Sequence, residues 1–205
     1  ARLRMRLEPQ AVSSEVPDET RHEIGSALMD IDAISGTFDA ILRLSRLESG
    51  SLERRTEPVD VAKMAAEVHD IMGETAEETG HTLSFARPAA PVLVQGDKDL
   101  LSQSLTNLVV NAIEHCPPPA VIAIAVEIRG DSPVLTVSDD GPGIPEADRD
   151  RVLERFVRLD ASRSKPGTGL GLSLVSAIAD LHGAKLTLAD NSPGLMVLMV
   201  FPSAA

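Results

Sequence analysis

The chain holds a single cysteine, Cys116. One thiol forms no internal disulfide and, by itself, no thiolate metal site, and this scarcity fits a reducing cytoplasm. Histidine is sparse as well. His22, His69, His81, His115 and His182 fall at no ligand spacing, so a metal held by protein side chains alone is not expected. No apolar run approaches the ~20 residues of a membrane-spanning helix, and no charged-then-apolar secretory leader precedes the first polar segment. The expected location is therefore the cytoplasm. Because the sequence starts at Ala1, without methionine and inside an amphipathic pattern, it reads as a piece of a longer protein whose other part can carry an inner-membrane anchor. Positive charge is also short: 19 Lys and Arg stand against 31 Asp and Glu, a net charge of −12. That balance argues against nucleic acid as a partner, since affinity there comes mainly from cations neutralising phosphates. A bound polyphosphate would need glycine-loop amides, a few local cations and a metal ion.

What is present is enough hydrophobic residue, 43% of 205, for one full domain and a smaller appendage. Over residues 14–47 apolar side chains recur at Ile24, Leu28, Ile31, Phe38 and Leu42, in steps of four and three, with Ser35 in the remaining place. This is a heptad-like seam, which Ile34 and Ile41 widen into the stripe of a bundle helix. Residues 2–8 read as the end of an earlier helix and 9–17 as the turn between the two. So small a hairpin cannot bury its stripe alone, so residues 1–56 are expected to dimerise into a four-helix bundle. Gly50 stops the helix, and Pro58 marks the passage into a second domain, 57–205. There Asp60 caps a helix to about Thr79, followed by strands over 82–86 and 91–95, and Asp97 caps a helix to His115 that Cys116-Pro-Pro-Pro119 ends. Strands over 121–129 and 133–138 form a hairpin around Gly130-Asp131. A helix over 146–158, a polar stretch over 160–167, a helix over 169–182 and strands over 185–189 and 195–201 follow. The fold class is α+β: a helical hairpin, then a two-layer α/β sandwich with helices on one face of the sheet.

Three clusters carry chemistry. Asn107 and Asn111, four apart, share a helix face, where a neutral carbonyl can serve Mg²⁺, a cation that prefers oxygen ligands; both read equally as solvated surface residues. Asp139-Asp-Gly-Pro-Gly143 follows a buried-looking strand, so that a carboxylate can accept from an exocyclic amine while Gly141 and Gly143 let a ring approach the backbone; the other reading is an ordinary turn. Gly167, Gly169 and Gly171 open a helix, where free amides receive phosphate. Lys165 precedes these glycines, so this is no Walker pattern, and no strand immediately precedes them, so it is no dinucleotide fingerprint. The stretch with Arg158, Arg163, Ser164 and Lys165 reads as a lid whose cations meet the polyphosphate, or as a plain solvated loop.

In this order and spacing the motifs resemble the ATP-binding domain of bacterial two-component sensor histidine kinases, of the GHKL type. The likeness runs from Val94 to Pro202. Its motifs are Asn107-Leu-Val-Val-Asn111-Ala112, Asp139-Asp-Gly-Pro-Gly-Ile-Pro145, Glu154-Arg-Phe-Val-Arg-Leu-Asp160 and Gly167-Thr-Gly-Leu-Gly-Leu172. Leu44-Ser-Arg-Leu-Glu-Ser-Gly50 looks like the end of that family's dimerisation hairpin. The resemblance implies that Asp139 holds the adenine, with Gly141, Gly143 and Ile144 beside it. It implies that Asn111 holds Mg²⁺ with Asn107 nearby, and that His115 touches the ribose or a phosphate. Gly167, Thr168, Gly169, Leu170 and Gly171, with Arg158 or Arg163, attend the phosphates. Glu114 stands where the family often has Lys or Arg, and Val157 where an aromatic is common.

The activity implied is transfer of the γ-phosphoryl of Mg-ATP to a histidine and onward to a response-regulator receiver aspartate, from a homodimer. His22-Glu23 lacks the Arg and Pro of the acceptor box, and His22 to Arg46 leaves room for one helix only. The acceptor is therefore expected upstream of Ala1, with His22 and Glu23 as the alternative. Two rival classes stay open: a regulator-docking phosphotransfer or scaffold protein with a vestigial ATP domain, and a chaperone- or mismatch-repair-type GHKL ATPase.

Overall fold

The computed structural model describes residues 56–159 and 169–203, with Pro17 and seven helical positions of the amino-terminal segment: Thr20, Arg21, Ile24, Gly25, Leu28, Ile41 and Leu42. The remainder of the expected hairpin, His22, Glu23, Arg163, Gly167 and Thr168 lie outside the described residues.

Asp60 ends the short strand β1 (Glu57–Asp60) and caps helix α1 (Val61–Glu78), its Oδ1 accepting from the N–H groups of Ala62 and Lys63 at 3.1 and 3.3 Å. The same oxygen accepts from Val92 N–H at 3.3 Å, tying the helix start to the segment before strand β3 (Leu93–Gly96). Val61, Met64, Ala65, Val68, Met72 and Ala76 repeat at three- and four-residue spacing and are all buried, so α1 offers one apolar stripe to the core. Strand β2 (His81–Ala86) follows the left-handed Gly80. Helix α2 (Lys98–His115) starts at the other expected cap, Asp97, whose Oδ1 accepts from Asp99 and Leu100 at 3.0 and 3.2 Å. Three prolines follow Cys116 and cannot supply the N–H groups that another turn needs.

Strands β4 (Ala120–Arg129) and β5 (Ser132–Asp139) pair as the expected antiparallel hairpin, Arg129 opposite Ser132 across Gly130-Asp131. With helix α3 (Gly171–Leu181) and strands β6 (Lys185–Asp190) and β7 (Leu195–Val200) they complete a five-stranded mixed sheet of order β2-β4-β5-β7-β6, in which only β2–β4 is parallel. A single core unites one face of this sheet (Ile122, Ile124, Val126, Leu135, Val137, Val197 and Met199) with the buried stripes of α1, α2 and α3. Burying a side chain of this size contributes roughly 1.5–3 kcal/mol, so the core fixes which edge of each helix is left for other work. Strands β1 and β3 form a separate antiparallel pair.

Two expectations need correction. No helix spans 146–158; the segment makes two single 3₁₀ turns, Glu146–Asp148 and Arg151–Leu153. Its apolar positions are too few to form a stripe, only Val152 being buried, and Phe156 adopts a φ of 61° that no right-handed helix allows. Phe156 N–H instead donates to the carbonyl of Gly169 at 3.0 Å, drawing the chain back to the last helix. That helix begins at Gly171 rather than Gly169, because Gly169 takes φ 68°. Strand β1 was not expected at all: four residues that include a proline carry no readable alternation.

Candidate nucleotide-binding site

Asp139 is the last residue of β5, in register with Ile122 on the core face, and only 8% exposed. A buried carboxylate must be hydrogen-bonded. Its Oδ1 accepts from Gly141 N–H at 3.0 Å and from Leu195 N–H at 3.2 Å. Asn191 Nδ2 donates to the Asp139 carbonyl at 2.8 Å. The neighbouring Asp140 is used differently: its Oδ1 accepts from Val121 N–H at 2.8 Å and anchors the bend to β4. Gly143 and Gly194 meet behind this bend. Both have positive φ, 69° and 111°, and a Cβ on Gly143 would come 2.7 Å from the Gly194 carbonyl. A Cβ on Gly194 would collide with the Asp139 carbonyl, so only glycine lets β7 start close enough for Leu195 to reach Asp139.

Helix α2 forms the opposite wall. Leu101, Leu105, Leu108 and Ala112 are buried in the core, which turns Asn107 and Asn111, both half-buried, to the side. Asn111 Nδ2 is enclosed and without a partner, and its carboxamide lies against α3: a Cβ on Gly171 would sit 3.1 Å from Asn111 Oδ1. An amide buried at that cost is explained by a ligand that supplies the partner. The start of α3 bears no side-chain cap and no acidic residue in its first turn, which leaves the N–H groups there and the positive end of the dipole without a capping group among the described residues.

Between these walls lies a cavity of about 500 Å³, within the size range of cofactor sites. Of the sequence-derived residues, Asn107, Asn111, His115, Asp139, Gly143, Ile144, Arg158, Gly169 and Gly171 line it. Gly141 does not; it packs against the Cys116 sulfur, close enough that a Cβ there would collide with it. Leu170 points into the core at 2% exposure and contributes its carbonyl to Ser173 and Leu174. Glu114 and Val157, the two departures, are on the wall. Sequence reasoning missed Cys116 and the apolar side chains Val137, Leu172, Leu195 and Val197, which also line the cavity. Each reads as ordinary core, and only the packing of the two helices on the sheet brings them together. Burial pushes the Cys116 thiol up to about 12, with the Asp139 carboxylate adding to the effect.

Fold and cavity define a class: an α+β domain holding its ligand between the helix face of a mixed sheet and a glycine-opened helix. The chain belongs to the family of histidine kinase-, DNA gyrase B- and HSP90-like ATPases, whose model matches residues 96–204. Among its relatives is the probable sensor histidine kinase TcrY of Mycobacterium tuberculosis, 35% identical over 181 residues, covering 87% of this chain and 37% of TcrY. The structure of full-length ShkA in complex with AMPPNP superposes with a TM-score of 0.77 at 25% identity, over 92% of this chain and 40% of that one. The mycobacterial sensor histidine kinase MprB gives a TM-score of 0.63 at 29% identity, over 72% of this chain and 98% of that one. The chain spans less than half the length of the curated relatives it matches.

Proposed function

We propose that this chain is the ATP-binding part of a sensor histidine kinase, and that the cavity between α2, the Asp139–Gly143 bend and the start of α3 holds Mg-ATP. The observation that carries this reading is the convergence of Asn111, Asp139 and Gly169 on one cavity. Asp139, held by backbone N–H groups, accepts from the 6-amino group of adenine, and the apolar Val137, Leu195 and Val197 surround the ring. Asn111, with Asn107 beside it, offers the carboxamide that would hold Mg²⁺; that ion neutralises charge on the phosphate oxygens. The enclosed, unpartnered Asn111 Nδ2 is a donor and fits an acceptor such as a phosphate oxygen beside that ion. The uncapped start of α3 and Arg158, with Arg163, Gly167 and Thr168 of the adjoining segment, receive the phosphates. His115 stands on the wall at the ribose or phosphate end.

The reaction that this arrangement serves is in-line attack of a histidine nitrogen on the γ-phosphorus, with ADP leaving. Positioning and electrostatic stabilisation do most of the work in such transfers. The acceptor lies outside this site, upstream of Ala1 by the sequence reading. The phosphoryl group then passes to a receiver-domain aspartate of a response regulator. Residues 1–56 serve as the dimerising segment and 57–205 as the nucleotide domain, in the cytoplasm, with any membrane attachment elsewhere in the parent protein. Titration with a fluorescent ATP analogue tests the site. Binding is expected in the micromolar range with Mg²⁺, and Asp139→Asn, which replaces a charged acceptor, weakens it by roughly ten- to a hundredfold. Equal affinity of wild type and Asp139→Asn overturns the assignment. Incubation with γ-labelled ATP is expected to leave this chain unlabelled; an acid-labile adduct on His22 would move the acceptor there.

A further inference from the structure

We propose that Asn191 is a positioning residue for base recognition: its carboxamide holds the main-chain carbonyl of Asp139, so that Leu195 N–H reaches the Asp139 carboxylate and fixes the direction from which it accepts an exocyclic amine. The inference rests on the reading of Asp139 as the adenine acceptor.

Asn191 opens the turn between β6 and β7 and is not among the residues lining the cavity, so it acts there through a neighbour. Its N–H donates to the Gly194 carbonyl at 3.1 Å, which closes the turn. Its Nδ2 donates to the Asp139 carbonyl at 2.8 Å, across 52 residues of sequence. A carbonyl oxygen can only accept, so the carboxamide must present its nitrogen there. An asparagine in a turn commonly bonds the turn's own backbone. Here Asp190 makes the local bond instead, its Oδ2 accepting from Ser192 Oγ at 2.6 Å, and the Asn191 side chain is left for Asp139. The strand register shows why that matters. β5 and β7 pair as far as Ser138 opposite Met196, and the next rung would join Asp139 to Leu195. Side chains take over at that rung: Leu195 N–H donates to Asp139 Oδ1 at 3.2 Å, while the Asp139 carbonyl takes Asn191 Nδ2. Gly194 allows the approach, since a Cβ there would collide with the Asp139 carbonyl. Both bonds join the same two segments, so losing the Asn191 bond lets the turn draw back and loosens the Leu195 bond with it. Held by Leu195 and Gly141, the carboxylate cannot turn about its Cβ–Cγ bond without breaking bonds in a buried place, so its remaining lone pairs keep one direction.

The test compares ATP with purine riboside triphosphate, which is ATP without the 6-amino group, as ligands of the full chain with Mg²⁺. Wild type is expected to prefer ATP. Asn191→Asp keeps the shape but sets an acceptor against a carbonyl, and it lowers ATP affinity by about three- to tenfold while leaving the amineless nucleotide unchanged, so the preference narrows. Asn191→Ala, which demands no space and adds no charge, repeats the loss and decides the case should Asn191→Asp fail to fold. A merely structural asparagine would lower the unfolding midpoint and leave the preference where it was. Equal weakening of both nucleotides, or an unchanged preference in Asn191→Ala, overturns the proposal. If the Asn191 variants keep the wild-type preference while Asp139→Asn still loses ATP, only the role of Asn191 falls; if Asp139→Asn has no effect, the reading of the site falls with it.

Discussion

A carboxylate buried at a strand end is retained only where donors converge on it, and Asp139 shows what that convergence requires of its neighbours. Gly194 must lack a side chain for Leu195 to approach, and Gly143 must turn with positive φ behind the bend. Gly143→Ala places a Cβ in a left-handed conformation and 2.7 Å from the Gly194 carbonyl; a loss of about 1–3 kcal/mol is expected, seen as a midpoint several degrees lower in thermal unfolding. Cys116 gives a pH dependence. Its thiol is raised in the folded state, from an ordinary value near 9 to about 12, so the unfolded chain releases the proton first. Between those values the folded state binds more protons than the unfolded one, and stability falls as pH rises. Wild type is thus expected to lose thermal stability from about pH 9 upward more steeply than Cys116→Ser, as calorimetry across that range would show. At this scale the sequence was legible wherever a polar residue or glycine interrupted an apolar setting, as at Asn111, Asp139 and Gly143. Cys116 and Leu195 were not legible, because an apolar side chain or a lone thiol looks the same in a core as on a cavity wall.

Helix ends determine where the site's side chains stand. Asp97 caps the helix that carries both asparagines, and its backbone N–H donates to the buried His182 Nε2 at 3.0 Å, linking α2's start to the residue after α3. Asp97→Ala is expected to cost about 1 kcal/mol, measured by urea denaturation, with weakened nucleotide affinity as the start of α2 frays. The nearby Lys98–Glu67 pair, 2.7 Å apart between α2 and α1, is largely exposed, and Lys98→Ala should move the same midpoint far less. Both Asp caps, the proline stop after Cys116 and the Gly130-Asp131 hairpin could be read directly, since each acts through residues close in sequence. The helix over 146–158 could not. Its apolar positions are too few for a stripe, and Phe156, left-handed at φ 61°, bonds through its N–H to the carbonyl of Gly169, thirteen residues on.

For the molecule as a whole, a ligand that binds only the folded state must stabilise it. Saturating Mg-ATP, at about a hundred times its dissociation constant, is expected to add about 2.7 kcal/mol to folding stability and raise the unfolding midpoint. Chelating the metal with EDTA should remove most of that gain, because Glu114 and Asp139 leave the cavity with two carboxylates and only Arg158 as a full cation among its described lining residues. A midpoint that ATP shifts equally with and without metal would contradict the role given to Asn111.

The sequence by itself determined most of the elements, the caps and the family likeness, because these depend on residues acting alone or within a few positions of each other. Only the tertiary structure decided that β1 and β3 leave the main sheet to pair with one another, and that Cys116, Gly141, Gly194 and Leu195 surround one carboxylate. Those outcomes depend on strand register and on close approach between segments far apart in sequence, fifty-six residues from Asp139 to Leu195, and no local pattern encodes such an encounter.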